Sequence, residues 1–383
     1  MTGHALLETR SQGIAESRRG GRLPRTLHPA AWWAWAIALA TAASRTSNPL
    51  LLVLIFAVLG LVVTARRTDA PWARGYRFYL LMALTVVGIR ILFRVIFESG
   101  GAPGDIVLFR LPRVPTPSWY AGVQIGGPVS LQGVLSAALD GARLACLLCC
   151  IGAANTLANP KRALRILPGA LYELGVAVTV ALSVAPQLVE SVQRVRRARQ
   201  LRGASGRGLR ALRAIAIPVL HDALDRSLRL AAGMDSRGYG RTGNASAASR
   251  RLTAALMLAG MAGLCIGAYG LLDPTVPHQV GLGGLAGGAA LCLAGLALGG
   301  RRVSRTRYKP DPWRWPEWVV VGCGVASAVA LCLNTGYNPA ALNPSLYPLQ
   351  WPSLPLLPAA AILMSALAAL AAPPPPTAMG AST

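Results

Sequence analysis

The sequence is poor in charged residues, and acidic residues are the scarcer kind. Only 14% of its 383 residues are charged, whereas 53% are hydrophobic. About a quarter of the residues of a soluble domain are charged, so this composition excludes an ordinary soluble globule and indicates a membrane protein. Glycine shows no three-residue period and long apolar runs are frequent, which excludes a collagen-like or a disordered chain.

Residues that support common enzymatic chemistry are also few. Lysine occurs only at 161 and 309, and neither follows a glycine, so the chain has no Walker A phosphate loop. Its four histidines form no metal-binding motif. We therefore expect no metal site, no cofactor and no ATP site in this chain, and energy for any work has to come from a partner or a gradient.

The seven cysteines all lie inside apolar segments, where a thiol behaves as a small hydrophobic side chain. This placement excludes a disulfide framework. Cys146 and Cys149 form a C-x-x-C pair without a second pair or an adjacent histidine. We interpret the pair as helix packing, with redox or metal chemistry as the alternative.

Apolar segments long enough, or nearly long enough, to cross a bilayer as helices recur along the chain. They are residues 29–44, 49–65, 78–97, 130–154, 252–272, 281–299, 317–334 and 354–372. The pattern predicts an all-α, polytopic integral membrane protein. Residues 28–155 hold the N-terminal transmembrane helices, residues 273–372 hold additional C-terminal ones, and residues 373–383 form a Pro-rich tail.

The first two apolar segments are separated by a short polar turn and predict a helical hairpin. Three tryptophans near its start, Trp32, Trp33 and Trp35, suggest an aromatic anchor at the membrane interface. Residues 1–27 carry five arginines and no apolar core, and we expect a disordered cytoplasmic arm rather than a cleaved signal peptide.

Basic residues are distributed unevenly between the predicted loops. With the N-terminus in the cytoplasm, the inside loops contain Arg66, Arg67, Arg74, Arg77, Arg301, Arg302, Arg305, Arg307, Lys309 and Arg314. The outside loops 273–280 and 335–353 contain no lysine or arginine, and the loop 98–129 contains two arginines. The positive-inside bias therefore favours a multi-pass cell (plasma) membrane protein with a cytoplasmic N-terminus.

Residues 156–251 interrupt the alternation of spans and loops. Residues 187–251 contain 14 arginines and 4 acidic residues, so this block is predicted to be cytoplasmic. Residues 160–187 then cannot cross the membrane alone, and we interpret them as a shallow, interfacial helix. Amphipathic helices are predicted to begin at Pro186 and at Pro218.

These two helices end alike, in Leu201-Arg202-Gly203 and in Ser236-Arg237-Gly238. A glycine that follows a helix adopts the left-handed conformation without penalty, so each helix can stop abruptly beside an arginine. One interpretation is that the arginines suit the negative end of the helix dipole. The alternative is that two blunt helix ends present charged, planar forks to a cytoplasmic partner.

Both ends resemble signatures of one transporter family. Residues 231–240, which contain Met-Asp-Ser-Arg-Gly-Tyr, are similar to the A-M-E-A-R-G-Y/F motif of the transmembrane T component (EcfT/CbiQ) of energy-coupling factor (ECF) transporters. Residues 198–203 are similar to its A-x-x-A-R-G motif. Pro186, Pro218, Leu27-His28-Pro29 and Asn48-Pro49 also match. The resemblance covers residues 27–272, in which 252–272 would be the helix that closes the family core.

The resemblance implies a non-catalytic scaffold of an ATP-driven importer of a vitamin or a metal ion. Two cytoplasmic ABC ATPases would dock on the two motifs, and a membrane S component would bind the solute. Carried over residue by residue, the docking residues are Leu201, Arg202, Gly203, Ser236, Arg237 and Gly238. Residues 156–251 would be the interfacial and cytoplasmic coupling helices. Leu201 and Ser236 replace the family's alanines, and the three apolar segments after residue 280 exceed its core.

Four charged residues fall within predicted spans, where a charge is costly and suggests a function. They are Arg90, Arg94, Asp140 and Arg143. Internal ion pairs or contact with the S component are one interpretation, and snorkelling to the interface is the other. Two G-x-x-x-G pairs, Gly283 with Gly287 and Gly284 with Gly288, permit close helix packing.

The alternative function is a polytopic membrane enzyme whose basic helices hold a lipid-linked anionic substrate. Such an enzyme would need acidic residues for metal or base chemistry at the membrane face, and they are sparse. We expect no nucleic-acid partner, because the arginines lie on amphipathic helices without interleaved aromatic residues.

Overall fold

The all-α prediction is confirmed by this computed structural model, which describes residues 27–67, 75–97, 105–112, 126–164, 171–203, 208–238, 246–273, 275–300 and 313–373. In these ranges, seven helices are long and apolar enough to cross a membrane. The predicted arm 1–27 and the Pro-rich tail lie, apart from their innermost residues, outside the described residues. The chain forms two compact units, residues 1–160 with 311–383 and residues 161–310.

The first unit is built mainly from helices. They are α1 (Pro29–Ser44), α2 (Pro49–Arg66), α3 (Tyr76–Phe97), α4 (Leu131–Leu157), α10 (Trp315–Tyr337), α12 (Leu356–Ser365) and the short α5 (Pro160–Ala163), α11 (Pro339–Leu342) and α13 (Ala368–Ala371). A small antiparallel pair, β1 (Val107–Arg110) with β2 (Pro128–Ser130), lies between α3 and α4. All eight apolar segments predicted from the sequence are helical, although the last is divided between α12 and α13.

The α1–α2 hairpin forms the centre of this unit. Each helix begins with a proline preceded by a side-chain cap, because His28 Nδ1 accepts from Ala30 N and Asn48 Oδ1 accepts from Leu50 N. Each cap accepts from an N–H group that a helix start leaves unpaired, and the proline has no N–H group that needs a partner. Trp35, Leu39, Leu51 and Ile55 are then completely buried in the core.

The prediction of an interfacial tryptophan anchor was wrong for Trp32 and Trp35, while Trp33 is half-buried. Trp35 is fully buried and Trp32 is 5% exposed. The Trp35 indole Nε1 donates to the Ser365 carbonyl at 3.3 Å, which gives a buried indole the partner it needs. Gly324 of α10 makes room for this ring, since a Cβ there would lie 3.1 Å from Trp35 Cδ1.

The C-terminal helices are part of this core. The α10–α12 hairpin packs on the α1–α2 hairpin. The helices α10 and α1 run parallel to each other, because their starts are in contact. At one end, the Glu317 carboxylate accepts from the backbone N–H groups of Arg314 and His28. At the other, Asn48 Nδ2 donates to the carbonyls of Ala341 and Ser353 at 2.9 and 2.7 Å. The last apolar segments are thus not a separate appendage.

The α3–α4 pair lies beside this stack and is antiparallel. Near one end the Asn155 amide donates to the Tyr79 hydroxyl at 2.9 Å. Further along, Gly141 lies against the other helix, since a Cβ there would be 3.1 Å from Val87 Cα. On α4, Cys146 and Cys149 are buried in the hydrophobic core, in accord with their interpretation as packing residues.

The second unit contains four long helices: α6 (Tyr172–Leu201), α7 (Leu209–Asp235), α8 (Ala247–Leu272) and α9 (His278–Gly300). The predicted helix starts at Pro186 and Pro218 were wrong, because both prolines lie inside longer helices. Each helix continues through its proline and gives up one backbone hydrogen bond there, while its other backbone bonds are kept. The segment Leu174–Leu201 is one of the seven membrane-length apolar helices.

Glycines bring α8 and α9 into backbone contact. A Cβ on Gly284 would lie 2.8 Å from Gly267 Cα, and one on Gly288 would lie 2.5 Å from Leu264 N. The close packing predicted for Gly284 and Gly288 is therefore confirmed. Gly283 and Gly287 have no atom within 4 Å of such a Cβ, so the pair one residue earlier faces away from this interface.

Candidate functional site

Both arginine-containing ends are exposed helix termini with the predicted glycine geometry. Gly203 follows α6 with φ of +71°, and Gly238 follows α7 with φ of +74°. The backbone turns also match, since Gly203 N donates to Gln200 O at 3.0 Å and Gly238 N donates to Asp235 O at 2.9 Å. Glycine is needed at both positions because an L side chain rarely adopts this conformation.

In both ends the arginine directly precedes the left-handed glycine. Arg202 is the C-cap of α6, and its N–H donates to the Arg199 carbonyl. Arg237 lies one residue beyond the C-cap of α7, and its N–H donates to the Met234 carbonyl. Both side chains are exposed. A cation at this position is favoured by the helix dipole and remains available to a partner.

The surface around the α6 end is apolar as well as basic. Leu201, next to Arg202, is 89% exposed. A shallow depression of about 470 Å³ beside it is lined by Glu190, Gln193, Arg194, Arg197, Ala198 and Leu201. The α6 end thus combines an exposed apolar side chain with several arginines.

A polar cluster joins α6 to α7 where they cross. The Ser191 hydroxyl donates to Asp222 Oδ2 at 2.7 Å, Arg226 Nε donates to Asp222 Oδ1 at 3.2 Å, and Arg226 Nη1 donates to Gln187 Oε1 at 3.3 Å. Ser191 is 3% exposed. The Ser191 hydrogen bond, and after it that of Arg226, lowers the pKa of the Asp222 carboxyl.

Sequence reasoning anticipated only part of this cluster. The i, i+4 spacing predicts surface ion pairs of Asp222 with Arg226 and of Asp225 with Arg229. The first pair is present, but Asp222 also contacts the other helix. The second pair does not occur among the described side chains. The sequence signal for the crossing is a pair of polar residues one helical turn apart, Gln187 and Ser191.

The crossing is antiparallel and separates the two arginines. Gln187 lies opposite Arg226 and Ser191 lies opposite Asp222, so residue numbers rise along α6 as they fall along α7. At 1.5 Å per residue, Arg202 lies about 16 Å from the crossing and Arg237 about 22 Å from it, in opposite directions. The structure thus places the two arginine ends at the opposite tips of one helix pair.

Next to the crossing, α7 presents an apolar groove. Its volume is about 590 Å³, and its lining is Ile217, Pro218, Leu220, His221, Asp222, Leu224 and Asp225. Ile217, Leu220, Leu224 and Leu228 are each more than half exposed. His221 lies on the exposed surface. This spacing predicts a face that a second apolar surface covers, either lipid or protein.

The charged residues of the predicted spans lie in the first unit, on α3 and α4. Arg90 and Asp140 are exposed, whereas Arg94 and Arg143 are partly buried. Among the residues that the structure describes, no group of three or more His, Cys, Asp and Glu side chains is placed to hold a metal ion.

Comparison with known proteins identifies one family. A model of the CbiQ family, described as cobalt transport protein, matches residues 20–246. The match includes the first hairpin, α3, α4, both arginine ends and the crossing, and it stops directly before α8. No curated protein matches the chain.

Proposed function

Because the chain belongs to the CbiQ family of cobalt transport proteins, a multi-pass membrane component of a transporter, we propose that it is the non-catalytic energy-coupling subunit of an ECF-type importer. It connects two cytoplasmic ABC ATPases to a membrane S component that binds the solute. One observation carries this proposal: a single antiparallel helix pair ends at both tips in an exposed arginine followed by a left-handed glycine.

Each tip is suited to one ATPase. A guanidinium forms paired hydrogen bonds with carboxylates, and the neighbouring Leu201 adds apolar area at the α6 tip. Two separated and similar tips suit two similar partners, which are either one protein twice or two related proteins. ATP is bound and hydrolysed by these partners, and this chain supplies no phosphate loop.

The crossing links movement at one tip to the other. When the ATPases close, the tips shift relative to each other, and the angle between α6 and α7 changes at the Ser191–Asp222 contact. The exposed apolar groove of α7 lies beside this point and moves with it. A solute-binding subunit that binds this groove then makes different contacts in the two states of the helix pair. ATP-driven coupling requires such a difference in contacts.

The topology of the first unit supports a cytoplasmic location for α6 and α7. The α1 and α10 helices begin at the same side, because Glu317 accepts from backbone groups at both starts. Only nine residues separate Arg66 from Tyr76, too few for a helical crossing of the membrane. We therefore place the start of α3 on the side where α2 ends, and antiparallel α4 ends there too. The chain thus leaves and re-enters the first unit on one side.

Residues 161–310 therefore contain an even number of membrane crossings. The helices α8 and α9 supply two, and α7 is not among the membrane-length apolar helices. A crossing by α6 alone would make the number odd and would place Arg194, Arg197 and Arg199 outside, against the positive-inside bias. We thus assign α6 to the membrane surface and the N-terminus of α1 to the cytoplasmic side of the plasma membrane.

The test is affinity purification of the complex in mild detergent, followed by mass spectrometry, for the wild type and for Arg202→Glu combined with Arg237→Glu. We expect Walker-type ATPases with the wild type and their loss from the variant, while the chain keeps its elution volume. Reversing Arg77, an exposed arginine of α3 outside the α6–α7 pair, provides the matched control. A wild type without ATPases would overturn the proposal and favour the membrane enzyme.

A further inference from the structure

A cluster of charged side chains, formed by Arg90 of α3 with Asp140 and Arg143 of α4, lies at one level of the α3–α4 pair. Gly141, next to Asp140, packs directly on α3, and a Cβ there would lie 3.4 Å from Arg90 Cβ. Arg143 follows one turn later on the same helix. Arg90 and Asp140 are exposed, and Arg143 is partly buried. These three residues are called the intramembrane cluster below.

Asp140 and Arg143 lie too deep for snorkelling to explain them. Asp140 lies about 13 Å from the start of α4, and Arg143 lies about 18 Å from the start and 21 Å from the end. An aspartate side chain is too short to reach water from that depth, and snorkelling serves long side chains near helix ends. Lipid alone would therefore leave these charges in hydrocarbon, which costs several kcal/mol or is avoided by pairing.

The described part of the chain does not pair these charges. Arg90, Asp140 and Arg143 make no ion pair or side-chain hydrogen bond with another described residue. The other membrane helices cannot supply the missing carboxylate either, because α1, α2, α8, α9 and α12 contain no acidic residue. In α10 the single acidic residue, Glu317, already accepts from the backbone of His28 and Arg314.

We propose that the intramembrane cluster is a docking site for a transmembrane helix of another polypeptide that carries a carboxylate at mid-depth. The cluster has two cations and one anion, so a partner carboxylate between Arg90 and Arg143 neutralises its net charge. A polar donor on the same partner helix forms a hydrogen bond with Asp140. A second copy of this chain would bring the same excess of cations and leave it unbalanced. A desolvated pair of this kind favours specific association.

The position of the cluster agrees with the packing of the first unit. The α1–α2 hairpin is covered by α4 and by the α10–α12 hairpin. In contrast, α3 is covered on one side only, and Ala83 is its single buried residue in the described range. A membrane partner thus finds α3 and the adjoining face of α4 open. This inference rests on the proposed function, in which that partner is the S component.

The experiment compares Arg90→Leu, Arg143→Leu and Asp140→Leu with the wild type in the purification described above. We expect the small membrane subunit to fall at least about tenfold, relative to the ATPases, in each Leu variant. Arg90→Lys keeps the charge and should retain more of the subunit than Arg90→Leu. Arg77→Leu, which removes an exposed arginine from the first turn of α3 where water is near, is the matched control and should change nothing.

The outcomes separate the two proposals. A wild type that lacks ATPases refutes the proposed function, whereas ATPases with an undiminished membrane subunit in all three Leu variants refute this inference alone. If a variant accumulates poorly, a crosslinking experiment takes its place. A photoreactive benzophenone amino acid is then introduced at exposed Leu144 of the otherwise unchanged chain. A crosslink to a second copy of the chain overturns the inference. A crosslink to a membrane protein supports it only if replacing that protein's intramembrane carboxylate by an amide releases it.

Discussion

The two helix pairs within residues 161–310 are joined in opposite ways. The α8–α9 pair is held by glycines that bring the two backbones together, as at Gly267 and Gly284. The α6–α7 pair meets at one cluster of polar side chains and leaves its apolar residues exposed. Glycine contacts leave no side chain that can adjust, whereas a polar crossing can change its angle when a few hydrogen bonds rearrange.

This difference assigns different tasks to the two pairs. A pair with close backbone contact keeps one geometry and serves as a fixed support in the membrane. A pair that touches at one point and presents grooves to partners can transmit a displacement. The first unit is also a fixed part of the molecule. Its helices are held by buried side chains and by hydrogen bonds between distant segments. Mutations should therefore affect stability in the fixed parts and coupling in the adjustable part.

The largest effect is expected for Gly284→Val. A Cβ at this position would lie 2.8 Å from Gly267 Cα, and neither backbone can yield, so the substitution should destabilise the hairpin by about 3 kcal/mol or prevent folding. Thermal unfolding of the purified protein measures this. Gly283→Val places the same side chain where no atom lies within 4 Å and should leave the melting temperature unchanged. Equal effects of both would refute the glycine interface.

Asn48→Ala tests the fixed core of the first unit. The substitution removes the N-cap of α2 and leaves the carbonyls of Ala341 and Ser353 without this donor. We expect a loss of about 2 kcal/mol, from a lost cap and unsatisfied buried groups. Ser47→Ala removes an exposed hydroxyl of the same turn and should cost much less. A similar small loss for both would mean that the C-terminal segment does not depend on this turn.

Ser191→Ala should affect coupling more than stability. It removes the hydrogen bond that α6 donates to Asp222, so solute uptake per ATP hydrolysed should fall between about twofold and tenfold, the range expected for one such bond. Reconstituted vesicles with both activities measured together provide the test. Ser227→Ala, which removes a local bond to the Leu224 carbonyl, is the control. Unchanged coupling in Ser191→Ala would contradict the role of the crossing.

The smallest effect concerns pH. The pKa of Asp222 is lowered by Ser191 and Arg226, so the stabilisation from its carboxylate is fully present above the unfolded pKa of about 3.9 and is lost as pH falls through the lower, folded pKa. The distance between spin labels on the two tips should thus stay constant from about pH 8 to pH 5. A change within that range that Asp222→Asn abolishes would contradict this assignment.

The sequence sufficed to predict the helices and both arginine ends. Apolar run length determines where a membrane helix can form, and a glycine after a basic helix end is a local signal, so Gly203 and Gly238 could be identified without tertiary information. Local signals failed at Pro186 and Pro218, because proline is favoured at a helix start but a long helix can also continue through it at the loss of one hydrogen bond.

Contacts between distant segments could not be predicted. Nothing in the apolar run near residue 324 indicates that it packs on Trp35, because any membrane helix with a small residue offers such a surface. Likewise, the choice of Gly284 rather than Gly283 as an interface residue depends on the rotation of α9, which a glycine-rich sequence leaves open. The polar crossing also required the partner helix, since Ser191 and Asp222 each read alone as ordinary surface residues.

The central claim is that each tip of the α6–α7 pair holds one ATPase. Native mass spectrometry of the complex without nucleotide, for Arg202→Glu and Arg237→Glu separately, measures this most directly. We predict two ATPases on the wild type and one on each single variant, with the membrane subunit retained in all three. Two ATPases on both single variants would contradict the claim, because neither tip would then be a docking site.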